Sequence, residues 1–266
     1  MKPFLKWAGG KYKSMDTIRE ILPNGKRLVE PFCGSCAVAL NTDYDAYILG
    51  DFNKDLINLY KTLVKENTHF IQYVKTFFTE ENRTTEKYYE LRSLFNKTSD
   101  IRLKSALFVY LNRHGFNGLC RYNSKGLYNV PIGSYKTLYF PEEEMQYFVN
   151  KLKNATFVYQ SFEKTIKLAE QNDIIYCDPP YVPLNITASF TAYTGQGFGL
   201  EAQKYLAHLA NTYHENGYKI FISNHDTDLT QDLYKKSIIK SFYVRRMISA
   251  NGAKRGVAPE LVACYE

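Results

Sequence analysis

Residues 26–51, KRLVEPFCGSCAVALNTDYDAYILGD, decide the fold. "KRLVEPF" reads as a buried strand, Gly34-Ser35 as a turn, "CAVALN" as a short helix and "AYILGD" as a second strand closed by Asp51. Strand, glycine turn, helix and a strand with a terminal acid make the βαβ unit of nucleotide-binding sheets. Asp51 lies 17 positions after Gly34, about where an acid accepts hydrogen bonds from ribose hydroxyls. The G-x-G-x-x-G run that cradles a pyrophosphate is missing, which favours an adenosine ligand without phosphates over NAD.

Downstream of this unit the periodicity turns helical. Asn53 is placed to cap a helix through "DLINLYKTLVKE", and "HFIQYVKTFF", "TTEKYYELRSLFNK" and "DIRLKSALFVYLNR" carry apolar faces at helical spacing. Gly115, Gly118, Gly126 and Gly133 among Asn, Tyr and Arg predict a loop or hairpin. Pro141, favoured at a first helical position, opens another helix, with Glu142, Glu143 and Glu144 against its positive end. Strand-helix alternation then returns: "TFVYQ" is a strand, Ser161 caps a helix through "FEKTIKLAEQN", and "DIIYC" is a strand. A polar loop with Gly195, Gly197 and Gly199 leads to the helix "LEAQKYLAHLANTYHENG" and the buried strand "YKIFISN". "SFYVRRMI" and "ELVACYE" close the sheet around the turn "ANGAKRG". The expectation is an α/β protein: a sheet domain over 1–54 and 141–266, interrupted by a largely helical insert over 55–140.

In open α/β sheets ligands collect at the carboxyl ends of strands, and three acids stand there: Glu30, Asp51 and Asp178. The third belongs to "IYCDPPY", residues 175–181. An exocyclic amine on a purine is a poor nucleophile, because its lone pair is delocalised into the ring. Asp178 and the Pro179 carbonyl can each accept one of its N–H bonds and draw the nitrogen toward tetrahedral geometry. Pro179 and Pro180 fix the carbonyl directions in advance. Tyr181 offers a ring for the base to lie on, worth roughly 1–3 kcal/mol per base.

Charge points to the partner. From 101 to 140 there are six Lys or Arg and no acid, with eight aromatics; from 231 to 258 seven basic residues face only Asp232. The remainder is net acidic although the chain carries +7, and such segregation is the footprint of a polyanion. Five cysteines in 266 residues are no disulfide scaffold. Cys33 and Cys36 form a C-x-x-C without thioredoxin-like flanks or a second ligand pair for zinc, so buried reduced thiols and no metal site are expected. No apolar run nears the roughly 18 to 20 residues that span a bilayer, and "MKPFLKWAGGKYKS" lacks the apolar centre of a secretory signal. His225-Asp226 could suggest a hydrolytic pair, but neighbours on a strand point to opposite faces.

At this level the chain resembles the Dam-type DNA adenine-N6 methyltransferases, the D12 class of S-adenosylmethionine-dependent enzymes that recognise GATC. The resemblance runs through "FLKWAGGK" (4–11), "VEPFCGS" (29–35), "LNRHGFNGLCRYN" (111–123), "NVPIGSY" (129–135), "DPPY" (178–181), "FTAY" (190–193) and "ISNHDT" (222–227). It implies a Rossmann-like class I methyltransferase sheet with an inserted helical DNA-recognition domain carrying a hairpin loop. For the donor, S-adenosylmethionine, it implies a pocket from Trp7, Ala8, Gly9, Lys11, Glu30, Pro31, Phe32, Gly34, Asp51, Ser161, Phe162 and Asp178. Within it Lys11 pairs with the methionine carboxylate and Asp51 with the ribose. For catalysis it implies Asp178, Pro179, Pro180 and Tyr181.

For double-stranded DNA the resemblance implies Lys6 and Arg121 at guanine, with Leu119, Pro131 and Tyr135 facing the recognition site. Phe116 and Asn117 form a wedge that takes the place of the displaced base, and Arg113, Asn123 and Lys136 are further contacts. An arginine bidentate to guanine discriminates by about 1–3 kcal/mol. Adenine N6 cannot meet a donor inside the stack, so the base must be flipped.

Three features depart from the family pattern. Cys36 stands where a second glycine of the turn is usual, Phe116 replaces a common tyrosine, and the chain stops soon after "LVACYE". The sequence-level expectation is therefore a cytoplasmic, nucleoid-associated monomer that methylates the N6 of adenine in GATC in double-stranded DNA. Methylation of cytosine N4 or of RNA bases on the same scaffold, and a catalytically silent DNA-binding module, are the alternatives. Asp178 at the head of its motif leans toward adenine, and the intact Trp7, Lys11 and Asp51 argue against a pure binder.

Overall fold

β1 (Arg27–Glu30) is a strand flanked on both sides, and Leu28, Val29 and Glu30 are buried accordingly. On one side it pairs in parallel with β2 (Ala46–Asp51), Arg27 level with Ala46 and Glu30 with Leu49. On the other it pairs in parallel with β4 (Ile174–Cys177), Val29 level with Ile175. β4 continues in parallel to β5 (Lys219–His225). The sheet then reverses: β7 (Val257–Tyr265) is antiparallel to β5, and β6 (Ile238–Arg245) is antiparallel to β7. With β3 (Thr156–Tyr159) the order is β3-β2-β1-β4-β5-β7-β6, a mixed seven-stranded sheet. Chain order runs outward in opposite directions from β1 and β4, so the switch point of the sheet lies between them.

The computed structural model describes residues 1–135, 137, 139–183, 198–245 and 257–266. Lys136, residues 190–193, Gly195, Gly197 and the turn expected at 250–256 lie outside the described residues. The protein is organised in two compact units: one of Met1–Met15, Cys33–Asp43 and Asp51–Tyr159, the other of Asp16–Phe32, Tyr44–Gly50 and Gln160–Glu266.

The first unit is helical: α2 (Lys54–Glu66), α3 (Thr68–Lys75), α4 (Thr85–Lys97), α5 (Ile101–His114) and α6 (Glu142–Leu152), whereas α1 (Met15–Ile21) belongs, but for Met15, to the second unit. Its caps are local and chemical. Asn53 accepts from the Leu56 N–H, Thr84 from Lys87, and Asp100 from Arg102 and Leu103. α5 is buried from Ser105 to His114 and packs on α2, α3 and α4. Phe4, Tyr60, Phe148 and Phe157 form an aromatic core, with Tyr60 and Phe148 centroids 4.9 Å apart and Phe4 and Phe148 5.2 Å apart. Pro141 stands one position earlier than expected, as the residue before a helix that starts at Glu142. "CAVALN" yields only a short 3-10 turn, Ala39–Asn41.

The second unit holds α7 (Phe162–Ile166), α8 (Leu200–Glu215) and α9 (Asp228–Leu233) around its strands. Ser161 caps α7 by accepting from the Lys164 N–H, as expected, but the helix is much shorter than its sequence pattern. The Asp173 carboxylate accepts the Glu170 N–H at 2.8 Å and is also bound by Arg27, which turns the chain toward β4. All five cysteines are free thiols, and four of them are buried.

Candidate active site and nucleic-acid interface

β4 is buried at every position, IIYC, and delivers Asp178, Pro179, Pro180 and Tyr181 at its carboxyl end, beside the carboxyl end of β1 with its buried Glu30. The proline turn is held by side chains from three other segments. Gln203 of α8 donates Nε2–H to the Pro180 carbonyl at 2.7 Å. Asn224 of β5 accepts the Val182 N–H at 3.1 Å and donates to Gln203 Oε1 at 3.1 Å. The Tyr234 hydroxyl joins both, 3.1 Å from Asn224 Nδ2 and 3.3 Å from Gln203 Oε1. Gln203, Asn224 and Tyr234 are all buried, so these bonds form in a low-dielectric interior where they fix geometry most strongly. The Tyr181 hydroxyl donates to Glu260 at 3.2 Å, and its ring meets His225 edge-on with centroids 4.7 Å apart. His225 in turn uses Nδ1 on the Val182 carbonyl at 2.6 Å. Both halves of the tempting His225-Asp226 pair are thus structural: His225 braces the turn, and the Asp226 carboxylate accepts from Gln231.

In the same unit Phe32 stacks on Phe162, centroids 5.4 Å apart at 21°, and both rings meet Phe198 edge-on. Pro31 is buried between Glu30 and Phe32.

In the other unit the turn after β1 is shaped by backbone demands. Gly34 has φ 44, and a Cβ there would lie 2.7 Å from Trp7 Nε1, so the indole covers this glycine. Cys36 adopts φ 59, the left-handed conformation that a glycine takes more easily. The Gly34 carbonyl accepts from the buried Tyr60 hydroxyl at 2.5 Å, and its N–H donates to Asp51 at 3.1 Å. Asp51 also accepts from the Asn53 N–H at 2.8 Å. Burial pushes the Asp51 carboxyl up from the usual carboxylate range, against the N–H bonds of Asn53, Gly34 and Phe52. Ala8 and Gly9 are exposed, and the buried Lys11 donates to the Gly9 carbonyl at 2.9 Å. A turn without a side chain beneath an indole, next to a carboxylate, suits a flat nucleoside with ribose hydroxyls.

A family model of the D12 class N6 adenine-specific DNA methyltransferases matches residues 7–248. The chain belongs to that family. It is 47% identical over 265 residues to a DNA adenine methylase of Vibrio cholerae, covering 99% of this chain and 96% of that protein. It is 48% identical to a DNA adenine methylase of Serratia marcescens, covering 99% and 98%, and 46% identical to one of Escherichia coli K12, covering 100% and 95%.

For this N6-adenine DNA methyltransferase, the described residues among those expected at DNA lie in the helical unit. Phe116 is 49% exposed, and Asn117, with φ 53, is exposed beside it. Their loop is closed by antiparallel bridges, Gly115 to Ile132 and Tyr122 to Tyr128. Arg121 is exposed, its Nε donating to Asn129 Oδ1 at 2.8 Å, which orients the guanidinium. Pro131 is exposed, Leu119 half-buried, and Asn123 caps the loop tip by accepting from Lys125 and Leu127. Lys6 holds its ammonium 3.7 Å from the Tyr135 ring centroid. Arg113 is largely buried, donating to the Phe4 carbonyl at 3.4 Å. Among the described residues no three His, Cys, Asp or Glu side chains stand together as metal ligands, and no helix is long and apolar enough to cross a membrane.

Sequence reasoning missed Gln203, Asn224, Tyr234, Tyr60 and Asn129. Gln203 did leave a trace: Leu200, Leu206 and Ala207 share its helix face, and a buried amide requires partners.

Proposed function

We propose that this methyltransferase acts on the adenine of GATC in double-stranded DNA, with S-adenosylmethionine as donor. The reading rests above all on the proline turn at 178–181, at the tip of a buried parallel strand, where Gln203 holds the Pro180 carbonyl and Asn224 the following Val182 N–H. Asp178 accepts one N–H of the target amine and the Pro179 carbonyl the other, which localises the nitrogen lone pair; the rigid turn means no reorganisation is needed when the base arrives. Trp7, Ala8, Gly9, Lys11, Gly34 and Asp51, with Glu30, Pro31, Phe32, Ser161 and Phe162, are assigned to the donor. Within the helical unit the indole-covered glycine and the Asp51 carboxylate suit its adenosine, and the Lys11 ammonium its carboxylate. When bound, the donor supplies a methyl group activated by its sulfonium, so the protein's contribution is alignment.

Residues 55–140 are assigned to target recognition. Arg121 and Lys6 read guanine edges, Phe116 and Asn117 fill the stack vacated by the flipped base, and Leu119, Asn123, Pro131 and Tyr135 line the recognised site. The names of the relatives, DNA adenine methylases, support the same reading.

The test is methyl transfer from labelled donor to plasmid, followed by digestion with nucleases sensitive to adenine methylation at GATC. Protection confined to GATC is expected. Asp178→Ala is expected to abolish transfer while duplex binding survives; label at sites other than GATC, or turnover by the variant, would overturn the assignment.

A further inference from the structure

The segment that carries Lys6 and the turn that carries Phe116 and Asn117 are far apart in sequence, yet one side chain holds both. Asn112 lies on α5 with 1% of its surface exposed. Its Oδ1 accepts the Lys6 backbone N–H at 2.9 Å, and its Nδ2 donates to the Lys6 carbonyl at 2.8 Å. The amide therefore pairs with Lys6 as the backbone of a neighbouring strand would. The same Nδ2 donates to the Gly118 carbonyl at 3.1 Å, directly after the wedge pair. Gly118 itself has φ 62, and a Cβ on it would collide with the Lys6 side chain. Lys6 and the wedge turn are thus in van der Waals contact across a glycine and bonded to one buried amide.

An asparagine inside a helix is a weak helix former, and a merely structural one would satisfy itself on its own helix or in the core. This one spends all three bonds on the two segments that carry the base-reading lysine and the wedge. We propose that Asn112 is a positioning residue that couples the reading of guanine by Lys6 to the insertion of Phe116 and Asn117. A mismatched base that leaves Lys6 without its contact then also loosens the wedge, and discrimination appears in base flipping as well as in binding. The proposal rests on the assignment of Lys6 and Phe116 to DNA made above.

The test is a double-variant cycle with Lys6→Ala and Phe116→Ala, reading kcat/KM on a GATC duplex and on one altered at the first base. 2-Aminopurine fluorescence at the target position reports flipping. Residues that act as a unit give non-additive losses, so the loss in the double variant is expected to fall short of the product of the two single effects by about fivefold or more. In an Asn112→Ala background the losses are expected to become additive, with weaker flipping and poorer discrimination but unchanged donor binding. If Asn112→Ala does not fold, Gly118→Ala serves instead, since it forces Lys6 away from the turn and leaves α5 intact. Single variants that each impair methylation but combine additively in the otherwise natural protein would overturn the coupling alone. Single variants without effect would overturn the DNA assignment and the coupling with it.

Discussion

Replacing Gln203 by leucine keeps the volume of a buried side chain on α8 and deletes three hydrogen bonds at once: to the Pro180 carbonyl, from Asn224 and from Tyr234. Asn224 and Tyr234 are fully buried, so each is left with a donor short of an acceptor. A buried polar group left unsatisfied costs about 1–3 kcal/mol, so the variant is expected to lose roughly 2–5 kcal/mol of stability, offset in part by the apolar leucine. The Pro180 carbonyl meanwhile loses the donor that fixes its direction. A displacement on the order of 1 Å in a positioning element reduces turnover about 10²-fold. Urea unfolding measures the first effect; single-turnover methyl transfer with saturating donor and duplex measures the second. Donor affinity should be unchanged, because Gln203 lies in none of the segments assigned to the donor. A variant that loses stability but transfers methyl groups at the natural rate would refute the claim that this amide holds the catalytic turn.

Gly34→Ala should weaken donor binding at least tenfold, on the order of 1.4 kcal/mol, because its Cβ would enter the Trp7 indole from a left-handed backbone; calorimetry with and without duplex would separate this from any change in DNA affinity. Lys6 is brought down to about 8 by burial and then by the charges of Arg113 and Lys2. A guanine contact needs the ammonium form, so duplex affinity is expected to fall as pH rises through about 8, and Lys6→Arg should remove that fall in a fluorescence-anisotropy titration. His114 is brought to about 4, first by burial and further by Lys6, Arg83 and Arg113, against its bond to the Tyr110 carbonyl. Its folded value lies below the ordinary 6.5, so the unfolded chain takes up the proton first and stability is lost as pH falls from 6.5 toward 4. The loss is roughly 3 kcal/mol, and urea midpoints across that range should be flatter for His114→Phe.

Strands β1, β2, β4 and β5 were legible because parallel strands are buried on both faces and therefore read as continuous apolar runs ended by polar residues. Asp51 and Asp178 were legible for the same reason: a carboxylate terminating such a run has to sit at a strand tip. Helix ends were legible where a side chain made them, as at Asn53 and Ser161, and misread where tertiary contacts did. The pattern after Ser161 suggests a long helix, yet α7 stops at Ile166, and Asp173, bound by Arg27 and the Glu170 N–H, holds the turn that leads into β4. "CAVALN" reads as a helix, yet the left-handed Cys36 leaves only a short 3-10 turn before Thr42. The supports of the site were the least legible. Gln203 lies beside Glu201 and Lys204, so only its apolar neighbours at helical spacing mark it as buried, and Asn112 has no neighbour in sequence that reveals its attachment to Lys6. Those roles exist only through contacts across 21 and 106 positions.

Position 36 carries a consequence for sequence drift. Its side chain is fully buried and its backbone lies at φ 59, so two filters act there independently. Valine, isoleucine and threonine are barred by their branching before packing is even considered, while asparagine satisfies the torsion but brings an amide into an apolar interior. Few of the alternatives reachable by one mutational step pass both sieves, and a saturation library at this codon should return chiefly cysteine, glycine and alanine.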